Sequence, residues 1–182
     1  MAARARRLRA AHPDVRIVLT PHEPSPARLA QLERALAADG LSTRRLSEVV
    51  AAAAEHTGST PPDVVLTDSI GQLAEIYRAG HLAYVGGSFT TGVHNTMEPA
   101  IAGLPVLFGP VIDNAEEAGE LVRQQAGQVV STPEQALAAA TRLLGDDALL
   151  ATASAAARDV VLAQRGATAR SLAVLEPLLR GR

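Results

Sequence analysis

The residues best suited to chemistry lie in short polar loops that follow apolar runs. The most informative is Gly86-Gly87-Ser88-Phe89-Thr90-Thr91-Gly92-Val93-His94-Asn95-Thr96-Met97-Glu98-Pro99. The paired glycines permit positive φ and a close backbone approach to a ligand. The loop feeds a helix starting near Asn95, whose first N–H groups and dipole suit an anion. Glu98 falls one turn in, where its carboxylate could accept hydrogen bonds from ribose hydroxyls. The same spacing, Asn95-x-x-Glu98, also fits a capping box in which Glu98 bonds back to the Asn95 N–H. The glycines do not follow GxGxxG, and no Lys follows to make a Walker A loop. His94 taken alone reads as structural rather than catalytic.

Three further loops share this character. In Thr20-Pro21-His22-Glu23-Pro24, two prolines stiffen the chain and aim His22 and Glu23. His22 there could donate to a phosphate, or the segment is a rigid turn with exposed polar residues. In Thr67-Asp68-Ser69-Ile70-Gly71-Gln72, Ser69 with Gln72 fits a capping box, which reads as plain helix initiation. The N–H groups of that helix start would equally suit an anion or the polar edge of a base. Gly109-Pro110 and Asp113-Asn114 make the fourth loop, with Asp113-Asn114-Ala115-Glu116 as a helix start. Four polar loops at one sheet edge argue for a ligand better than any one of them does.

Several chemistries are excluded or disfavoured. Cys is absent, which removes disulfides, thiolate catalysis, iron–sulfur clusters and Cys-ligated zinc. The five His, at 12, 22, 56, 81 and 94, show neither HxxxH nor HxH spacing, so no metal site is expected. No GxSxG elbow is present, against an α/β-hydrolase triad. A formal charge of −2 gives no basic field for nucleic acid, and two Phe, two Tyr and no Trp give little on which to stack single-stranded bases.

The loops need a frame, and the apolar pattern supplies one. VRIVLT (Val15–Thr20), DVVLTD (Asp63–Asp68), LAYVGG (Leu82–Gly87), PVLFGP (Pro105–Pro110) and GQVVS (Gly127–Ser131) read as strands covered on both faces, with a short sixth at Leu41–Leu46. Helices alternate with them. Ser25-Pro26 opens one that carries Leu29, Leu32 and Leu36 on one face and stops at Gly40. Another runs through Val49–Glu55. Thr132-Pro133-Glu134-Gln135 is a capping box with Pro at the first helical position, and Gly145 is its stop. This alternation predicts an α/β fold: a doubly wound, mostly parallel sheet of about six strands, with ligands outside the strands' carboxyl ends.

The 182 residues suit a single domain. His56–Pro62 reads as a surface loop, and residues 146–182 as a helical tail broken near Arg165-Gly166. The basic start, MAARARRLRAAHPD, lacks the apolar region of a signal peptide and reads as a solvated helix, with a membrane-surface helix as the alternative. No apolar run approaches the roughly 18 residues of a membrane span.

VGGSFTTGVHNTMEPAIAGLPVLFGP resembles the C-terminal half of the 3-deoxy-D-manno-octulosonic acid (Kdo) transferases, glycosyltransferases of the GT-B class. Those proteins carry V-G-G-S, then H-N-x-x-E-P, then a small-residue helix and a P-V-x-x-G-P strand. TDSIGQLAEIYRAGHLAYVGG is similar to the preceding family segment, D-T-x-G-E-L followed by Y-x-x-A, and IVLTPHEP to the loop after the first strand of that half. The match runs from about Val15 to about Val130. Many members have P-R-H-P where this chain has Pro21-His22-Glu23-Pro24, so His22 stands in place of an arginine.

The resemblance implies a Rossmann-like GT-B C-terminal domain over residues 1–182, with residues 1–14 as an inter-domain helix and the acceptor-binding N-terminal domain absent. It implies a CMP-Kdo donor site built from His22, Gly71, Gly86, Gly87, Ser88, Asn95 and Glu98. Asn95 and Ser88 would face the phosphate, Glu98 the ribose, and Gly71 would allow close approach by the nucleotide. The catalytic carboxylate would lie outside this chain, which alone is expected to be inactive, and neither metal nor cofactor is needed. The full enzyme would transfer Kdo to a lipid A precursor in lipopolysaccharide biosynthesis, in the cytoplasm at the inner face of the bacterial inner membrane. Two other readings remain at this point: a stand-alone, non-catalytic nucleotide-binding module, or half of another GT-B glycosyltransferase or of a sugar-nucleotide epimerase.

Overall fold

The structure, a computed structural model, describes residues 2–55, 60–166 and 171–176. Strands and helices alternate as far as α7, which α8 follows directly: α1 (Ala2–Ala11), β1 (Ile17–Leu19), α2 (Pro26–Ala38), β2 (Thr43–Arg45), α3 (Leu46–Ala54), β3 (Val64–Leu66), α4 (Leu73–Arg78), β4 (Ala83–Val85), α5 (Met97–Ile101), β5 (Val106–Phe108), α6 (Glu116–Arg123), β6 (Gly127–Val129), α7 (Pro133–Leu144) and α8 (Asp147–Ala163). Residues 171–176 are also helical. The α/β class is as expected, and every strand pair is parallel. The pairing falls into two three-stranded sheets, ordered β1-β3-β2 and β4-β5-β6, where the apolar pattern suggested one of about six strands. A strand's period shows how it is buried, not which strand lies beside it. The loop read at His56–Pro62 lies largely outside the described residues.

The chain divides into two compact units. The first combines Met1–Gly80 with Val130–Asp147. Its helix α2 starts as its sequence dictates. Ser25 is extended and its hydroxyl accepts the Arg28 N–H at 3.3 Å, with Pro26 at the first helical position. Leu29, Leu32 and Leu36 share one face because their spacing is three and four residues. Leu36 packs with Leu41 and Val64 against Ala5, Ile17 and Leu19, and Leu29 and Leu32 pack with Leu66 against Leu19. Each buried leucine contributes roughly 2 kcal/mol relative to an exposed one.

The basic N-terminal helix is docked within this unit, against α7. Arg9 pairs with Asp63 at 2.6 Å and also donates to the Val15 carbonyl, while Arg7 pairs with Glu134 at 3.3 Å. Helix α7 begins as predicted: Thr132 is extended and its hydroxyl accepts the Gln135 N–H at 3.2 Å. The Gln135 side chain reaches back to the Ser131 N–H, one residue before the cap.

The second unit comprises His81–Val129 and Ala148–Arg182. Its central strand β5 is buried along its whole length. The Phe108 ring is fully buried and occupies space that a side chain at Gly127 on β6 would need. Ala118 and Leu121 of α6 and Ala153, Ala157 and Val160 of α8 complete this core. With so few aromatics, alanine-rich helix faces do the filling. No helix among the described residues is long and apolar enough to cross a membrane.

Candidate functional site

In the first unit the strands' carboxyl ends carry the loops with His22 and Gly71. Strands β1 and β3 are neighbours, and their last residues are followed by Thr20 and Thr67, whose hydroxyls lie 3.0 Å apart. The Thr67 N–H donates to the Leu19 carbonyl. His22 therefore follows β1 by three residues and Gly71 follows β3 by five, from adjacent strand ends, and both are exposed. Gly71 has φ +90°. Between them in sequence, Asp68 does not face outward as a ligand group. Its carboxylate accepts the Ser47 N–H at 3.2 Å and the Ser47 hydroxyl at 2.5 Å, tying the end of β3 to the first turn of α3. The Ser47 hydroxyl bond holds the Asp68 carboxyl below its ordinary range. Nearby in sequence, Arg45 grips Glu33 of α2 at 2.7 and 3.3 Å, and that bond likewise lowers the Glu33 pKa.

The helix start read at Ser69–Gln72 is displaced. Helix α4 begins at Leu73, and the Ser69 hydroxyl donates to the Gln72 side-chain oxygen at 2.9 Å instead of capping a backbone N–H. The two side chains satisfy one another, so the expected capping box does not form.

In the second unit the long loop after β4 gathers the other five residues. Gly86 and Gly87 leave the strand, and the Gly86 carbonyl accepts the His94 N–H at 3.1 Å, closing the loop on itself. Gly87 has φ +88°, and a Cβ there would meet the Gly92 carbonyl oxygen and the His94 ring at about 2.5 Å or less, as the contacts of 2.4 and 2.5 Å show. No other residue fits that position without moving backbone. The Gly87 carbonyl accepts the Thr90 and Thr91 N–H groups, forming the tip.

Ser88 is fully buried, and its hydroxyl accepts the Gly109 N–H at 2.6 Å. Its backbone carbonyl accepts the Val111 N–H at 2.9 Å. Ser88 thus fastens the β4 loop to the loop after β5, and its hydroxyl is turned inward rather than toward an external phosphate. Burial of that hydroxyl is not visible in a V-G-G-S string, where serine reads as a loop residue.

Asn95 and Glu98 are both exposed and touch each other. The Asn95 amide nitrogen donates to Glu98 Oε1 at 3.0 Å, and its oxygen accepts the Met97 N–H at 2.9 Å. The expected capping box, with Glu98 on the Asn95 backbone N–H, is replaced by this side-chain pair. Helix α5 starts at Met97, and Thr96 at its cap position has no side-chain bond to the helix, its hydroxyl being buried without a partner. Glu98 keeps its second carboxylate oxygen and Asn95 its second amide hydrogen for other partners.

One contributor escaped the sequence reading. Asn114 reads as part of a helix start, yet α6 begins after Ala115 with no side-chain cap. The Asn114 amide instead accepts the Val93 N–H at 3.1 Å and donates to the Val93 carbonyl at 3.0 Å, bracing the segment before His94 and Asn95. Gly92 leaves the space that this amide fills. Nothing local could have signalled a bond to residues 21 positions earlier. Among the described residues no group of three or more His, Asp or Glu gathers as a metal-ligand set.

Each unit therefore presents its own group: His22 and Gly71 at paired strand ends in the first, and Gly86, Gly87, Ser88, Asn95 and Glu98 around one loop in the second. The second group offers an exposed carboxylate and carboxamide on a frame fixed by buried hydrogen bonds.

No protein-family model matches the chain. The 3-deoxy-D-manno-octulosonic acid transferase of Bordetella pertussis is 36% identical over 174 residues, covering 94% of this chain and 39% of that protein. A probable mitochondrial 3-deoxy-D-manno-octulosonic acid transferase of Arabidopsis thaliana is 30% identical over 157 residues, covering 82% and 33% of the two chains. The fold is similar to the crystal structure of the C-terminal CMP-Kdo binding domain of WaaA from Acinetobacter baumannii, with a TM-score of 0.65 at 19% identity, covering 88% of this chain and 99% of that one. The chain spans between a third and two fifths of the length of these two transferases. With such identity carried along nearly all of its residues, the chain belongs to the 3-deoxy-D-manno-octulosonic acid transferase family.

Proposed function

We propose that this chain binds CMP-Kdo as the donor-binding domain of an enzyme that transfers Kdo to a lipid A precursor, at the inner face of the bacterial inner membrane. The observation that carries the reading is the exposed Asn95–Glu98 pair, held at the carboxyl end of β4 by a loop that Gly87 and Ser88 fix in place. In this reading Glu98 accepts hydrogen bonds from the ribose hydroxyls, which a carboxylate does strongly. The second amide hydrogen of Asn95 donates to a phosphate oxygen. Gly86 and Gly87 let the nucleotide approach the backbone, and Ser88 acts from beneath by positioning the loop. In the first unit, His22 and Gly71 stand at the ends of β1 and β3, His22 able to donate to an anionic group where many family members carry arginine. Binding needs no metal and no cofactor.

Asn95 and Glu98 are solvent-exposed, so their hydrogen bonds form in competition with water. Affinity for CMP should lie nearer millimolar than nanomolar, on the order of −4 to −6 kcal/mol. Titration of the 182-residue chain with CMP and with UMP, followed by NMR shifts, tests the reading. Saturable shifts with CMP, stronger than with UMP, support it. No response to CMP at high millimolar concentration, or a preference for UMP, overturns it.

A further inference from the structure

The loop that carries Gly87 and Ser88 also holds an aromatic ring at the surface. Phe89 is 51% exposed, yet it is seated: Cε2 and Cδ2 of its ring lie 2.7 and 2.8 Å from where a Cβ on Gly109 would stand. The ring rests on the Gly109 backbone at the end of β5. It is anchored from both sides in sequence, since Ser88 is buried and bonded to Gly109, and Thr90 donates back to the Gly87 carbonyl. A large apolar side chain held in this way cannot turn inward to escape water.

Its setting is unusual for this chain. The sequence has two Phe, two Tyr and no Trp. Phe108 is fully buried, while Tyr77 and Tyr84 belong to α4 and β4. Phe89 is thus the one Phe, Tyr or Trp in the four strand-end loops, Thr20–Ser25, Thr67–Gln72, Gly86–Thr96 and Gly109–Ala115. Of the other exposed residues of this segment, Thr90, Thr91, Asn95 and Glu98 suit hydroxyls and phosphate rather than a flat ring, and the His94 ring packs against Gly87. A nucleotide donor has one planar unsaturated ring, its base.

The geometry points to Phe89 as the residue on which the pyrimidine base of the donor stacks. This inference rests on the nucleotide-binding reading above and names the part of the ligand that the Asn95–Glu98 pair leaves unrecognised. Base–aromatic stacking tolerates the base's identity but requires a ring, so it predicts a dependence on ring shape rather than on bulk.

The test compares Phe89→Leu and Phe89→Tyr with the unaltered chain, using CMP and ribose 5-phosphate as probes and NMR shifts as the readout. Phe89→Leu should weaken CMP about tenfold. It should leave ribose 5-phosphate within about twofold, because that probe has no base, while Phe89→Tyr restores CMP binding. Urea midpoints of the variants, expected to stay near that of the unaltered chain because the ring is half exposed, show that the fold survives. Unchanged CMP affinity in Phe89→Leu, or equal weakening of both probes, overturns the stacking role and leaves the nucleotide reading standing. Failure of the unaltered chain to bind CMP overturns the nucleotide reading itself, and the stacking role with it.

Discussion

Asn114 encloses the backbone of Val93, accepting its N–H at 3.1 Å and donating to its carbonyl at 3.0 Å. The pair works like one rung of a parallel ladder made by a side chain. It fixes the chain just before His94 and Asn95, so the angle at which the Asn95–Glu98 pair meets solvent depends on a residue from a different loop.

Asn114→Ala removes both bonds; the Val93 N–H keeps its second acceptor, the Val111 carbonyl at 3.0 Å, while the Val93 carbonyl loses the amide that donates to it. The variant should lose about 1–2 kcal/mol of stability. The His94 amide, bonded to the Gly86 carbonyl in the segment that Asn114 braces, should exchange with solvent faster than in the unaltered chain. Urea denaturation and hydrogen exchange check the two parts separately.

Two glycines of similar φ should respond very differently to the same substitution. Gly87 (φ +88°) has the Gly92 carbonyl and the His94 ring within 2.5 Å of a new Cβ, whereas Gly40 (φ +74°) has nothing within 4 Å. Gly40→Ala should cost about 1–2 kcal/mol, the left-handed strain alone. Gly87→Ala adds a backbone clash and should cost about 3 kcal/mol or more. Thermal or urea unfolding of the two variants side by side measures the difference.

Glu98→Gln separates ligand binding from local structure. Gln can still accept the Asn95 amide bond, and the side chain is exposed, so the urea midpoint should barely move. As a ribose ligand, the carboxylate is worth about 1–2 kcal/mol more than the amide, a roughly fivefold to thirtyfold loss of CMP affinity. Unchanged affinity would remove Glu98 from the site.

Acid stability should depend on Asp63. Its carboxylate accepts the Ser42 N–H at 2.8 Å and the Ser42 hydroxyl at 2.9 Å, and lies 2.6 Å from Arg9. The Ser42 bonds, backbone first, with Arg9 assisting, lower its pKa below 3.8. A depressed pKa in the folded state means the unfolded chain takes up the proton first. The stabilisation is therefore complete above the ordinary carboxylate range and is lost as pH falls through the folded value. Asp63→Asn should flatten the fall in urea midpoint between about pH 5 and about pH 3 while lowering the midpoint at pH 7.

What could be read from the sequence divides by range. Ser25-Pro26 and Thr132-Pro133 announced α2 and α7 because a cap acts over three residues, and both hydroxyls make the bonds expected of them. Five strands were legible from short β-branched apolar runs, although only β5 is buried along its whole length, and β2, Thr43-Arg44-Arg45, carries no apolar run. The starts of α4 and α5 were not, since Ser69 with Gln72 and Asn95 with Glu98 pair through their side chains and leave the helix ends to begin later. The inward turn of Ser88 and the reach of Asn114 depend on partners 21 residues away, Gly109 and Val93, which no local pattern encodes. The site's exposed residue types were thus visible, while its supporting bonds were not.

The division of the chain into units assembled from separated stretches has a consequence for how the protein comes into being. Helix α1 precedes its packing partner α7 by more than a hundred residues, and the Arg7–Glu134 pair closes a separation of 127 positions. During synthesis the first unit cannot be completed until Val130–Asp147 has left the ribosome, by which time His81–Val129 of the second unit has already emerged. The second unit in turn waits for α8. Neither can finish before the other has begun, and contacts so distant in sequence slow the search for the native state. A fragment ending at Gly80 would carry β1, β2 and β3 with the α7-facing side of α1 uncovered, and should be caught by chaperones or proteases rather than accumulate as a small folded domain.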